Sequence, residues 1–270
     1  MQFALNYSPQ AAGLLDAGAL DIDRFKCPDW PDLIAAARAY RPVYVHFELR
    51  TDRRHLAAES LDAVERWRAE TGTPYINAHL VPSRGRFPDM PPDTTEPDDA
   101  RAVVECLLDG AAALVERFGA EHVILENVPY YGRAGDTPRP AVQPETIRRV
   151  VDETGCGFLL DISHARLAAR HLGMDEGDYL AQMPGERLRE IHVTGIGRDP
   201  DGQVCDHLAL TGEDWPWVEW ALDRIRAGVW ATPWAMAFEY GGIGPLFAWR
   251  SERDVIAAQV PRLAELAHAV

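Results

Sequence analysis

Paired thiols are missing from this chain. Its four cysteines, Cys27, Cys106, Cys156 and Cys205, stand far apart with no CxxC pair, which argues against a disulfide framework and against a zinc ribbon. Positive charge is also short: 27 Lys and Arg against 42 Asp and Glu leave a formal net charge of −15. A negative surface field repels polyanions, so no nucleic acid is expected as the partner. Nowhere do about 18 apolar residues run uninterrupted, so no membrane span is expected. The opening MQFALNYSPQ has neither a basic region nor a long apolar stretch, so it does not read as a signal peptide, and a reducing cytoplasm is the expected setting. A GxSxG elbow is lacking, and so is a glycine-rich phosphate turn after the first apolar run. GIGRDPDG at 195–202 has glycines but opens no helix, so it is not a phosphate cradle.

What is present is alternation. The chain has 270 residues, 47% of them hydrophobic. Short apolar runs that read as strands lie at 1–8, 42–49, 74–81, 122–129, 157–164, 188–195, 204–210 and 234–241. Amphipathic segments such as DDARAVVECLLDGAAALVERFG and PETIRRVVDETG separate them, with Val103, Val104, Leu107, Leu108, Leu114, Val115 and Phe118 making one apolar stripe. Strands with helical crossovers in a chain of this size predict an α/β fold, a (β/α)8 TIM barrel of typically ~250 residues, as a single domain over 1–270. A doubly wound open sheet shares the pattern but wants the phosphate turn that is lacking.

Most of these runs close on polar side chains. His46, His79, Glu126 with Asn127, Asp161 with His164, His192, Asp206 with His207, and Glu239 all fall near the C-terminal ends of the expected strands. His55, His122, His171 and His268 do not. A barrel opens all its C-terminal strand ends on one face, so residues remote in sequence converge there. Imidazole and carboxylate together suit zinc, iron or manganese, and this many ligands exceeds what one ion uses, so two or three metal ions are expected. Any one such histidine alone is more often a hydrogen-bonded rim residue; the repetition across strands carries the expectation.

Three long polar segments, 82–97, 129–143 and 241–254, read as lids or binding loops. Their arginines, Arg84, Arg86, Arg133, Arg139 and Arg250, could hold a substrate carboxylate or peptide backbone, or be plain solvated surface. Tyr130, Tyr131 and Tyr240 could wall a pocket or simply pack, and Cys205 reads as an inert thiol.

On these residues the chain resembles a known family. LEN at 125–127, GFLLDISHA at 157–165, EIHVTG at 190–195, DH at 206–207 and FEYGG at 238–242 are similar to motifs of the DUF692 family, also called multinuclear non-haem iron-dependent oxidases. The layout more broadly resembles xylose-isomerase-like barrels, including the endonuclease IV type. The resemblance runs from about residue 40 to 245. It implies a two- or three-iron site that activates O2 and acts on cysteines of ribosomally made peptides, often with a partner protein that presents the precursor. It also implies that His46, His79, Glu126, Asp161, His192, His207 and Glu239 are metal ligands. Two positions depart from the family: His164 stands where asparagine is usual, and Asp206–His207 are contiguous where the family has Asp-x-His.

Three functions follow as alternatives. The first is an iron-dependent oxidase or oxygenase modifying a peptide, with iron as cofactor, Zn, Mn or Mg as alternatives, and Glu126, Glu239 and Asp161 as catalytic carboxylates. The second is a divalent-metal sugar isomerase or epimerase acting on a small-molecule substrate, with Glu126 and Glu239 as acid and base. The third is an endonuclease IV-like phosphodiesterase, favoured by His164 and opposed by the charge.

Overall fold

Short runs rich in β-branched and large apolar residues become the strands of the computed structural model, which describes residues 1–133, 137–245 and 247–270. In chain order they are β1 Gln2–Asn6, β2 Arg24–Cys27, β3 Val43–Val45, β4 Leu49–Arg50, β5 Ile76–His79, β6 Val123–Glu126, β7 Gly157–Asp161, β8 Leu188–Val193, β9 Gly195–Arg198, β10 Val204–Leu208 and β11 Ala235–Phe238. The helices are α1 Pro9–Asp16, α2 Pro31–Arg38, α3 Ala58–Thr71, α4 Pro97–Phe118, α5 Pro144–Thr154, α6 Ile162–Leu172, α7 Glu176–Ala181, α8 Trp215–Arg226 and α9 Arg253–His268. Proline opens α1, α2, α4 and α5, where its missing N–H costs nothing. Gly155 and Gly173 end α5 and α6 in the left-handed conformation that glycine adopts without strain. No helix among the described residues is long and apolar enough to cross a membrane.

The chain divides into two compact units. The first comprises Met1–His46, Trp67–Thr73 and Arg189–Val270. Its strands run parallel in the order β3-β2-β1-β11-β8, with Leu5 level with Phe25 on one side and Phe238 on the other, and Phe238 level with Val193. Phe3, Leu5, Phe25, Ile191, Met236 and Phe238 are buried in it. The second unit comprises Phe47–Arg66 and Pro74–Leu188. Its order is β7-β6-β5-β4, again parallel, with His79 level with Glu126 and Glu126 level with Leu159. Here Ile76, Ile124, Leu125, Phe158 and Leu160 are buried. Of the apolar stripe of α4, Val103, Val104, Leu107 and Leu114 are buried and Leu108, Val115 and Phe118 half-buried.

Several strand expectations change: the run 42–49 splits into β3 and β4, and 188–195 is divided between β8 and β9. RFKC at 24–27 forms β2, a parallel strand between β1 and β3 that the sequence pattern did not reveal. Its charged Lys26 masks the apolar character of a four-residue run. The run 204–210, expected as a parallel strand, instead supplies β10 of an antiparallel hairpin with β9. Half-buried residues on both sides of β10 fit a ribbon better than an interior strand.

Candidate metal centre

In the second unit three neighbouring strands end on ligand-type residues: His79 on β5, Glu126 on β6 and Asp161 on β7. Asp161 also caps α6, since its extended backbone lets Oδ1 accept the His164 N–H at 2.7 Å. The Asn127 amide locks that corner, accepting the Asp161 N–H and donating to the Asp161 carbonyl, each at 2.9 Å. His164 lies three residues on, so it shares a helix face with the capping carboxylate. Its Nδ1 is 2.9 Å from the Asn127 carbonyl, which can only accept, so the proton sits on Nδ1 and Nε2 carries the lone pair. That Nε2 is 3.8 Å from Asp161 Oδ2. His79 repeats the device: Nδ1 donates to the Leu49 carbonyl at 3.0 Å, and Nε2 faces Glu126 Oε2 at 3.5 Å. Glu126, Asp161 and His164 each offer a ligand atom within 4.8 Å of the others.

In the first unit the focus is Glu239, the residue after β11. Its Oε1 is 3.3 Å from His192 Nδ1 and its Oε2 is 3.5 Å from His207 Nε2. The His46 ring, just past β3, lies 5.2 Å from that of His192. Burial alone would raise the Glu239 pKa. His192 first, then Lys26, His207 and His46, outweigh it and hold the carboxyl well below the usual range. His192 is oriented from behind by Glu190, whose Oε1 is 2.9 Å from Nε2. Glu190 also accepts from the Tyr44 hydroxyl at 2.8 Å and from the Trp234 indole at 3.2 Å.

The contiguous pair Asp206–His207 is brought to one side by backbone distortion. Neighbours in a regular strand point to opposite faces. Here the β9–β10 register shifts between Cys205 and Leu208, and His207 has φ of 59°, the only positive φ outside glycine among the described residues. This bulge turns the His207 ring back, so Nε2 lies 3.7 Å from Asp206 Oδ1. A left-handed residue with a Cβ costs about 1–2 kcal/mol, and such strain persists where the surroundings demand it. Arg250 supports the turn by donating to the Asp206 carbonyl at 3.1 Å, with its guanidinium 4.7 Å from the Phe247 ring centre.

The donor chemistry fits metal. In His79, His192 and His207 a ring nitrogen faces a carboxylate oxygen at 3.3–3.5 Å. For His79 and His192 the far nitrogen already carries the proton, so the near one is an acceptor facing an acceptor. Such an arrangement wants a shared cation or a second ring proton. Each unit offers two carboxylates with two or three imidazoles and no thiolate, a set that suits iron, zinc or manganese. Burial and then Asp206 push up the pKa of the Cys205 thiol, which disfavours its thiolate.

Of the nine residues expected as ligands, His79, Glu126, Asp161 and His164 belong to the second unit and His46, His192, Asp206, His207 and Glu239 to the first. Lys26 and Glu190 were missed. Lys26 Nζ contacts Glu239 Oε1 from β2, and the only sequence signal was a charge inside a short apolar run. His268 pairs with Asp23 at 2.8 Å and His171 bonds the Leu167 carbonyl at 2.9 Å, both as surface or packing groups. Tyr130 donates to the Pro92 carbonyl and Tyr240 stacks on Phe238, so both pack. The loop 82–97 is tied down at Ser83, which donates from N–H and hydroxyl to Asp52, and at Pro92, whose carbonyl accepts the Arg139 N–H at 2.6 Å. Positions 134–136 and 246, within the expected loops 129–143 and 241–254, lie outside the described residues.

Residues 47–231 match the family described as "RiPP precursor modification enzyme MbnB/TglH/ChrH". A UPF0276 protein of Caulobacter vibrioides is 27% identical over 214 residues, covering 74% of this chain and 71% of that protein. A UPF0276 protein of Bordetella bronchiseptica is 32% identical over 195 residues, covering 69% and 64%. Among solved structures, a D-psicose 3-epimerase from Clostridium cellulolyticum H10 superposes with a TM-score of 0.62 at 12% identity, covering 100% of this chain and 99% of that one. A xylose isomerase-like TIM barrel protein from Mycobacterium smegmatis, in complex with magnesium, gives 0.57 at 12% identity, covering 99% and 97%. At such identities the likeness is one of fold: an α/β, xylose isomerase-like TIM barrel.

Proposed function

Because the chain belongs to the MbnB/TglH/ChrH family of RiPP precursor modification enzymes, we propose that it is an iron-dependent oxidase or oxygenase that uses O2 to modify a ribosomally made peptide, at a cysteine. The observation that carries the reading is the pair of histidine–carboxylate groups. Glu126, Asp161 and His164 with His79 would hold metal in the second unit, and Glu239, His207 and Asp206 with His192 and His46 in the first. Two groups, each large enough for an ion, support two or three ions in all. Bound iron would supply oxygen activation and the electrons exchanged with it.

The chain's own residues set the stage for that chemistry. The Leu49 and Asn127 carbonyls and the Glu190 carboxylate fix the tautomers of His79, His164 and His192, so each ring would hold an ion without reorganising. Glu126, Asp161 and Glu239 are the carboxylates we assign to catalysis, where they would hold the ions. The tied-down loop 82–97 offers a peptide a fixed surface, and a precursor-presenting protein is the partner the family suggests. The surplus of negative charge favours a peptide over a nucleic acid.

The test is oxygen uptake. Protein purified without air and loaded with Fe(II) should consume O2 when a cysteine-bearing peptide is added and should change that peptide's mass. Isomerisation of a sugar with no O2 consumed for any thiol peptide would overturn the reading.

A further inference from the structure

Lys26 has no part in the function proposed above. It is 5% exposed on β2, and a buried ammonium is tolerated when a carboxylate neutralises it. Its Nζ contacts Glu239 Oε1, the same oxygen that lies 3.3 Å from His192 Nδ1. An oxygen and an imidazole nitrogen so spaced have the bite of two ligands sharing one ion at about 2.1 Å each. The other oxygen, Oε2, faces His207, with Asp206 beside it. Glu239 thus presents two cation positions, one per oxygen, and an ammonium is lodged at the first.

We propose that Lys26 is a built-in substitute for one metal ion. It occupies Glu239 Oε1 and leaves Glu239 to bind metal through Oε2, the oxygen that faces His207. The first unit then takes a single ion. The inference rests on the metal-binding reading of these residues, and its test separates the two.

The test counts Co(II) bound after anaerobic incubation and desalting, by elemental analysis and by the visible absorption of the bound ion. Lys26→Met, close to lysine in length but neutral, should bind one equivalent more than the unaltered protein. Lys26→Arg should keep the original number, and Glu239→Gln added to Lys26→Met should abolish the gain. If Lys26→Met does not fold, Lys26→Ala carries the same expectation. Equal Co(II) counts in the unaltered protein and in a folded neutral variant, at any affinity, would overturn the role of Lys26 while leaving the metal reading standing. No Co(II) bound by the unaltered protein would overturn both.

Discussion

The two histidine–carboxylate groups are made of the same residue types and are supported in different ways. In the second unit three of the four proposed ligands stand at the last residues of consecutive strands and the fourth, His164, on the helix that follows, and backbone carbonyls of Leu49 and Asn127 fix the rings. In the first unit a side chain, Glu190, orients His192, a bulge with a strained backbone presents His207, and a buried lysine shares Glu239. Regular backbone therefore suffices to place one set. The other needs additional side chains, each of which can be removed without touching a ligand. Single substitutions in the two units should accordingly fail in different ways.

The largest effect is expected at Asp161. Asp161→Ala removes a ligand and a helix cap together, so metal should leave the second unit and stability should fall by about 1 kcal/mol, read by elemental analysis and by urea unfolding. Asp161→Asn should restore the cap without restoring the metal. His207→Gly should cost metal in the first unit with no matching loss of stability, because relief of about 1–2 kcal/mol of backbone strain offsets the lost contacts. A fall in stability as large as that of Asp161→Ala would show that the bulge is not strained. Glu190→Gln should weaken metal binding in the first unit by about 10–100-fold and leave the second unit unchanged.

A smaller, pH-dependent effect is expected in the second unit. Burial would raise the Asp52 pKa, yet hydrogen bonds from Ser83 and from the Arg54 N–H, with Arg86 nearby, bring it below the ordinary value. A carboxyl lowered on folding stabilises the native state above its unfolded pKa of about 3.9, and this is lost as pH falls through the folded value. Asp52→Asn should thus lower the melting temperature at pH 7, and the difference should vanish in strong acid. A constant difference across that range would assign Asp52 a role in packing alone.

Much of this was legible before the structure. Apolar runs ending in His79, Glu126, Asp161 and His192 gave both the strands and the candidate ligands, because parallel strands buried on both faces are continuous apolar runs and their C-terminal ends are the polar residues that follow. The strand at 24–27 was hidden by Lys26, a charge that only a partner from another strand makes tolerable. The contiguous Asp206–His207 departs from the Asp-x-His of the resemblance, and the bulge that brings the two to one side leaves no mark in these residues. The carbonyls that orient His79 and His164 carry no residue identity at all, and so could not have been read.

The most direct test of the account is the iron content of protein purified without air, measured against the variant in which Asp161 and Glu239 are both replaced by alanine. Two or more equivalents in the unaltered protein, lost in the folded variant, is the result expected. Fewer than one equivalent, or iron that persists when both carboxylates are gone, would contradict it.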